Sequence, residues 1–205
     1  MVENATLGAK RGRPPEFDPD QVVDAAIGAF FAKGFDATTL TDLESATGVD
    51  RSTLYNSFGG KNGLYHQATK RYLDHAAEGL FSVLHVGGDD GIDDIRQFLE
   101  RLRSGLTSQD VSPGCLIIND MAAGSDRDAA KRYREILDNG LRAALGRAAD
   151  AGTIDPSTID SRTALVSAAV IGINLISRHT GDNHQVDQLV TGAIVEITSW
   201  RNNPS

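Results

Sequence analysis

Residues 38–64 constrain the fold of this chain more than any other segment. Thr39 is a residue type that caps helix N-termini, and Asp42 stands three positions later, as in a capping box. Gly48 can adopt the positive φ that ends a helix, and Asp50 can cap a second helix soon after it. Two short helices joined by a glycine-containing turn form a helix-turn-helix, whose second helix enters the major groove of DNA. The segment therefore predicts DNA binding.

The polar residues of the second helix are predicted to face outward. Leu54 and Phe58 are spaced to face inward, as Leu40 and Leu43 are in the first helix. Arginine suits the edge of guanine, asparagine suits adenine, and hydroxyl groups can contact bases or phosphates. The predicted DNA contacts on this helix are Arg51, Ser52, Thr53, Tyr55, Asn56 and Ser57.

Apolar residues at helical spacing continue along the rest of the chain, and no segment shows the alternation of a strand. The predicted fold class is all-α, with about nine helices. Ser125 and Asp182 are the predicted N-caps of two later helices. Outside the helix-turn-helix, the predicted helices cover residues 18–34, 61–85, 93–107, 115–123, 125–151, 161–179 and 182–200.

A polar tail with a basic cluster precedes the first predicted helix. We expect residues 1–17 to form a flexible basic arm, in which Gly12 would let the backbone lie close to DNA. Arg11 and Arg13 would then enter an adjacent minor groove, where arginine responds to groove width and A·T content. The alternative is a disordered tail that only increases solubility.

The run GVDRSTLYNSFGGKNGLY resembles the recognition helix and following turn of the tetracycline-repressor (TetR) family of bacterial regulators. The preceding run, FDPDQVVDAAIGAFFAKGFDATTLTDLESATG, is similar to the first two helices of that family, so the resemblance covers roughly residues 10–75. It implies a homeodomain-like three-helix DNA-binding domain over residues 18–60 and an effector-binding and dimerisation bundle over residues 61–205. The implied function is transcriptional regulation, usually repression, by a homodimer that binds a near-palindromic operator and is released by a small-molecule effector.

Three residues are assigned to the DNA backbone by this resemblance. Positions matching Thr39, Tyr55 and Lys61 commonly hold phosphates in the family. The pair Asn56-Ser57 departs from the Tyr-His that relatives often carry, and the double glycine before Lys61 predicts an unusually flexible turn. Loss of an aromatic phosphate contact at this place would shift phosphate binding to the neighbouring polar residues.

The last two predicted helices are too apolar for helices with one solvent-facing side. One explanation is burial inside a single protomer. The other, which the resemblance implies, is a two-fold four-helix bundle between two copies, where small residues permit close approach. The predicted interface residues are Leu165, Ala168, Gly172, Leu175, Leu189, Ala193, Ile197 and Trp200.

The resemblance also implies a ligand cavity between the dimer helices and the helix that follows the helix-turn-helix. Each candidate residue has the alternative of being ordinary core. Asn174 is the best single candidate because it is polar on an apolar helix, although a core asparagine bonded to a neighbouring helix fits equally well. The predicted ligand-binding residues are Phe81, Phe98, Leu102, Ile117, Met121, Tyr133, Leu137, Val170 and Asn174.

The formal net charge is −8, from 20 Lys and Arg residues against 28 Asp and Glu residues. Residues 1–75 hold 8 basic and 10 acidic side chains, or −2, so the remainder contributes −6. A broad positive field is therefore excluded, and DNA affinity must come from a few placed cations and helix-start amides. The acidic balance supports an alternative function, a helical ligand-binding or protein-interaction dimer whose helix-turn-helix no longer binds DNA.

The single cysteine, Cys115, cannot form an intramolecular disulfide, which fits a reducing cytosol. It follows Gly114 at a predicted helix start, so it is either a redox sensor with a stabilised thiolate or a small buried apolar residue. We recognise no secretory signal and no apolar run of membrane-spanning length, and therefore expect a cytoplasmic protein.

The motifs do not support an enzyme. The five histidines form no HExxH motif, and no Glu is followed by His at i+3. A glycine-rich phosphate loop is also absent from the sequence. We expect no enzymatic activity, cofactor or metal, and the expected partners are double-stranded DNA, a second copy of the chain and an unknown small-molecule effector.

Overall fold

The computed structural model describes residues 17–85, 87–88, 90–108, 114–121 and 126–201. These residues form ten α-helices, a 3₁₀ turn at Pro156–Thr158 and no strand, which confirms the predicted all-α class. The helices are α1 (Pro19–Ala37), α2 (Leu40–Thr47), α3 (Arg51–Phe58), α4 (Gly60–Glu78), α5 (Ser82–His85), α6 (Gly91–Leu106), α7 (Leu116–Met121), α8 (Arg127–Asp150), α9 (Ile159–Thr180) and α10 (Asn183–Ser199).

The structure has one more helix than predicted because the single helix expected over residues 61–85 is divided. Helix α4 ends at Glu78, the chain turns through residues 79–81, and the short helix α5 follows. The turn places the Phe81 ring in the core, 5.5 Å from the ring of Phe98 and 5.7 Å from that of Tyr133. Burial of this ring between α6 and α8 explains why the helix does not continue.

Helices α1, α2 and α3 begin as predicted and α2 ends as predicted, whereas α1 continues past a kink to Ala37, three residues beyond its predicted end. Asp18 caps α1, and regular helix geometry stops at Gly34, where φ is 76°. Thr39 and Asp42 form both hydrogen bonds of a capping box on α2. Gly48 closes α2 with φ of 71°, which is the left-handed conformation that glycine adopts without strain.

Helix α4 joins the first three helices to the rest of the molecule. It packs against α1 and α3 on one side and against α8 on the other. Arg71 of α4 forms ion pairs with Asp20 and Asp24 of α1, and the first of these measures 3.0 Å. Any displacement of α4 therefore affects the position of the helix-turn-helix.

The C-terminal bundle consists mainly of α6, α8, α9 and α10. Arg147 of α8 donates to the buried Asp94 carboxylate of α6 at 2.7 Å and to the backbone oxygen of Leu84 at 2.9 Å. Helix α6 also approaches α8 closely, because a Cβ on Gly91 would lie 1.6 Å from the backbone oxygen of Ala144. The bundle core is thus fixed by a buried ion pair and by close backbone contact.

Two predicted helix boundaries need correction. The N-cap of α8 is Asp126, whose carboxylate accepts from the amides of Asp128 and Ala129, and not Ser125, which lies outside the described residues. The carboxylate at 126 also accepts from His66, so a tertiary contact supports this cap. The predicted seventh segment, residues 115–123, is helical from Leu116 to Met121, and its last two residues lie outside the described ranges.

The segment Pro156–Thr180 is long and apolar enough to cross a membrane by length and composition, with 39% of its most apolar window buried. This differs from the expectation that no apolar run reaches that length. A core helix of a soluble protein passes the same test. In this fold α9 packs against α8 and α10, and its remaining apolar surface borders a groove described below.

Candidate nucleic-acid interface and C-terminal cavities

The recognition helix α3 is attached to the domain by its first residues and its buried side. Asp50 caps it by accepting from the Thr53 amide at 2.7 Å. The carboxylate of Glu44 accepts from the Arg51 amide at 2.8 Å and from the Arg51 guanidinium at 3.2 Å. Leu54 is fully buried, so the opposite side of α3 is turned to solvent. Arg51 is therefore held at the exposed start of the helix.

The exposed side of α3 carries the predicted contacts. Ser52, Asn56 and Ser57 are exposed, and the Asn56 amide donates to the Ser52 hydroxyl at 3.2 Å. Thr53 is half-buried, and its backbone amide is used by the helix cap. Tyr55 is 57% exposed, which is large for an aromatic side chain.

The double glycine after α3 has a defined geometric role. Gly59 has φ of 77° and Gly60 has φ of 74°, and both values lie in the left-handed region. A Cβ on Gly60 would lie 2.9 Å from a ring carbon of Tyr55. The sequence predicted an unusually flexible turn at this place. In the structure both glycines have a defined left-handed conformation, and the Tyr55 ring lies against the turn.

The three residues assigned to phosphates lie near one another along the edge of the domain. Lys61 follows the turn that carries the Tyr55 ring. Its ammonium group donates to the backbone oxygen of Asp36 at 3.2 Å and lies 4.5 Å from the centre of the Phe35 ring. Thr39, three residues beyond Asp36, is exposed at the N-terminus of α2. Helix-start amides favour anions, so this edge is suited to a phosphate.

The acidic side chains of this domain are largely used by its own structure. Lys33 lies 2.6 Å from Asp42, and this ion pair together with the capping box holds the pKa of Asp42 well below its usual range. The Thr53 amide lowers the pKa of Asp50 in the same way. Arg71 neutralises two carboxylates of α1. The negative formal charge of the domain is thus partly compensated by local pairs, while the face of α3 carries hydroxyl, amide and guanidinium groups.

The buried carboxylate of Asp120 on α7 was not predicted from the sequence. It accepts a short hydrogen bond from the Tyr65 hydroxyl of α4 and a longer one, 3.4 Å, from the Phe35 amide that follows α1's kink. Burial and this carboxylate raise the pKa of Tyr65, so its hydroxyl remains a donor. An acidic residue within the apolar run LIINDM was the available signal. This carboxylate connects α7 to the backbone of Phe35, and the ring of the same residue lies beneath the Lys61 ammonium group.

A cavity of 260 Å³ lies between α4, α6, α8 and α9. Four predicted ligand-binding residues line it: Phe81, Leu102, Tyr133 and Asn174. The other five, Phe98, Ile117, Met121, Leu137 and Val170, do not line it, because their helix positions face neighbouring helices and pack into the core. The lining residues that sequence analysis missed are Phe31, Tyr72, Ala76, Leu80, Arg101, Gly105, Leu106, Gly114 and Cys115.

Cys115 is buried where α7 begins. The Tyr72 hydroxyl donates to its Sγ at 3.5 Å. Burial raises the pKa of the Cys115 thiol, so it remains protonated at neutral pH. This environment favours a small buried apolar residue over a redox sensor.

An apolar groove of 440 Å³ runs between α9 and α10. It is lined by five of the predicted interface residues, Leu165, Gly172, Leu189, Ala193 and Ile197, and Ala168 is exposed on α9. Two other predicted interface residues do not line this groove. Leu175 instead borders a cavity shared with α1 and α7, and Trp200 is buried with the Arg162 guanidinium 4.8 Å above its ring.

Arg11 and Arg13 of the predicted arm lie outside the described residues. Among the residues that are described, no group of His, Cys, Asp and Glu side chains could hold a metal ion. In this structure a short polar helix faces solvent after a tight turn and packs on other helices through its apolar side. This arrangement defines a helix-turn-helix DNA-binding protein.

Known proteins are similar to this chain in sequence. A family model described as bacterial regulatory proteins, tetR family, matches residues 22–68. The HTH-type transcriptional repressor ComR of Escherichia coli (strain K12) is 34% identical over 122 residues, which span 58% of this chain and 58% of ComR. The HTH-type transcriptional repressor BdcR of the same organism is 24% identical over 184 residues, 89% of this chain and 88% of BdcR.

A solved structure supports the fold along most of the chain. A cysteine mutant of the TetR family transcriptional regulator CifR, complexed with 26-bp double-strand operator DNA, superposes with a TM-score of 0.77 at 21% identity. The superposition covers 89% of this chain and 98% of that one. Residues 22–68, which include the helix-turn-helix, belong to the TetR family of bacterial regulatory proteins, a family of DNA-binding transcriptional regulators and not of enzymes. The alternative of a dimer that no longer binds DNA is not favoured.

Proposed function

We propose that this protein is a cytoplasmic transcriptional repressor that binds a near-palindromic operator as a homodimer and leaves it when a small molecule enters the cavity. The observation that carries the proposal is the presentation of α3, with its apolar side buried and its polar side exposed. The relatives ComR and BdcR are both named repressors, which supports repression as the function of this protein.

The DNA contacts divide by chemistry. Arg51, Ser52 and Asn56 offer donors and acceptors to base edges in the major groove. Tyr55, Lys61 and the N-terminus of α2 at Thr39 contact phosphates and set the register of α3 in the groove. Thr53 and Ser57 flank these groups on the same helix, and Arg11 and Arg13 of the arm reach the neighbouring minor groove.

The groove between α9 and α10 is the dimer interface. Leu165 is 51% exposed and Val195 is 65% exposed in the single chain, so an apolar surface is left open beside the groove. A Cβ on Gly172 or Gly192 would meet no atom within 4 Å, and a second copy can approach closely at these positions. Two copies related by a two-fold axis present two recognition helices, which must lie about 34 Å apart to enter successive major grooves.

The position of α7 explains how a ligand could release the protein from its operator. Cys115 at its start faces the ligand cavity, while Asp120 near its end binds Tyr65 and the Phe35 amide. A ligand that prefers one placement of α7 and α4 shifts the population toward it, and the helix-turn-helix moves with α4. A displacement of about 1–2 Å, typical of helix shifts, alters the separation of the two recognition helices.

The test is selection of genomic fragments by the purified protein, followed by fluorescence anisotropy titration of the best fragment at two salt concentrations. We expect a near-palindrome whose affinity falls steeply with salt, because phosphate contacts release counterions. The variant carrying Tyr55→Phe and Lys61→Ala should lose binding. Lys131→Ala, which alters an exposed lysine on α8, serves as the control and should bind normally. Failure of the folded dimer to enrich any sequence would refute the proposal.

A further inference from the structure

Two polar side chains line the ligand cavity with hydrogen-bonding groups that no described residue uses. Asn174 is 1% exposed, and its Nδ2 donates to the backbone oxygen of Val170 at 2.8 Å. This bond fixes the orientation of the amide, because the Val170 carbonyl accepts and cannot donate. Asn174 lines the cavity, and the hydrogen bonds of the described residues use its Nδ2 but not its Oδ1, which leaves this oxygen as an acceptor for a bound molecule.

Tyr133 supplies a second such group. The side chain is 3% exposed, and its ring packs edge-on against Phe81 at 5.7 Å. No described residue forms a hydrogen bond with its hydroxyl, although buried tyrosine hydroxyls normally have a partner. Two polar side chains, each more than nine-tenths buried, thus border one cavity without filling their hydrogen-bonding capacity.

The other residues that line the cavity disfavour the binding of a charged ligand. Phe31, Tyr72 and Phe81 contribute aromatic surface, and leucines of α6 and of the turn after α4 contribute aliphatic surface. Among the described lining residues, the one charged side chain is Arg101, which is exposed to solvent and leaves no charge buried inside. An ion in this interior would lose its hydration without a buried counter-charge. The volume of 260 Å³ is close to the lower end of ordinary ligand pockets, about 300 Å³.

We propose that the cavity binds a compact, uncharged aromatic molecule that carries a hydroxyl group. The hydroxyl donates to Oδ1 of Asn174 and accepts from the hydroxyl of Tyr133, while the ring packs among the aromatic side chains. This ligand class rests on the proposed function, in which the same cavity holds the effector.

The first test is calorimetric titration of the DNA-free protein with three probes of the same ring system: 2-naphthol, 2-methylnaphthalene and 2-naphthoate. We expect 2-naphthol to bind at least about 10-fold more tightly than 2-methylnaphthalene, because the methyl group leaves the buried acceptor unpaired. The carboxylate should bind more weakly than the naphthol. Equal affinity for the naphthol and the methyl compound, or tightest binding of the carboxylate, would overturn the proposal.

Two variants locate the hydroxyl recognition. Asn174→Leu removes the acceptor and keeps the branching and the number of heavy atoms of the side chain, so the preference for 2-naphthol should fall below about 3-fold while 2-methylnaphthalene still binds. Asn139→Leu, at an exposed position on α8, is the matched control and should keep the full preference. Tyr133→Phe removes a hydroxyl that has no protein partner, so it should fold normally and also reduce the preference. An unchanged preference in both Asn174→Leu and Tyr133→Phe would refute the assignment.

A third variant separates this cavity from the apolar groove of α9 and α10. Ala76→Phe places a ring in the cavity, and it should abolish 2-naphthol binding while the dimer persists. Binding that survives this change would lie elsewhere and would overturn the proposal. Operator binding by the ligand-free protein is measured separately. Loss of that binding would refute the proposed repressor, whereas normal operator binding without any preference for 2-naphthol would refute the ligand class alone.

Discussion

Substitution of Gly172 by leucine tests whether α9 and α10 form an interface, because it should stabilise the folded protomer and destabilise the dimer. In the single chain a Cβ at Gly172 meets no atom within 4 Å, and the groove that Gly172 lines leaves space for the rest of the leucine side chain. Glycine costs a helix interior about 0.8–1 kcal/mol relative to a good helix former. The free energy of unfolding of the isolated protomer should therefore rise by about 0.5–1 kcal/mol.

In a closely packed two-fold interface the same leucine appears twice. Overpacking costs about 1–3 kcal/mol per site, so the dimer should lose about 2–6 kcal/mol. The dimer dissociation constant should then rise between about 30-fold and about 10⁴-fold. Analytical ultracentrifugation across a dilution series measures this constant, and urea unfolding of dilute protein measures the protomer.

The control is Gly28→Leu on α1, where a Cβ also meets no atom within 4 Å and the site is far from the groove along the chain. Gly28→Leu should raise the free energy of unfolding of the protomer by a similar amount and leave the dimer dissociation constant unchanged. If Gly172→Leu leaves the dimer dissociation constant unchanged or lowers it, the reasoning that this groove is covered by a second copy is wrong.

Two further substitutions test the link to α7 and the turn after α3. Tyr65→Phe leaves the α7 carboxylate buried without its main donor, so urea unfolding should show a loss of about 1.5–3 kcal/mol. Tyr72→Phe removes only a 3.5 Å contact to sulfur and should cost less; equal losses would contradict the assigned role. Gly60→Ala places a Cβ 2.9 Å from the Tyr55 ring and should weaken operator binding in anisotropy titrations. Gly48→Ala has a similar positive φ but no neighbour within 4 Å, so it should weaken binding less; the reverse order would refute the role of the ring.

The helix-turn-helix could be predicted from sequence because its signals are local. Thr39 and Asp50 cap helices through amides two or three residues away, and Gly48 supplies a conformation that glycine adopts without strain. Such interactions need no knowledge of distant parts of the chain. The family resemblance is confirmed over residues 22–68, which include this motif.

Other features depended on residues far apart in sequence. Asp120 acquires its role from Tyr65 and Phe35, which are 55 and 85 residues away. The actual cap of α8 is supported by His66 of α4, a contact 60 residues distant in the chain. Helical periodicity shows that a residue lies on an apolar face, but it does not show which neighbouring helix covers that face.

The sequence alone therefore determined the class of fold, the position of the recognition helix and the polar groups it presents. Tertiary packing decided how the apolar residues of α9 and α10 divide between core and open groove, with Trp200 in the core and Leu165 half exposed. It also decided which residues line the ligand cavity, as Tyr133 does and Leu137 does not. The physical reason is that capping and turn formation act within a few residues, whereas cavities and interfaces are the spaces that remain after all helices have packed.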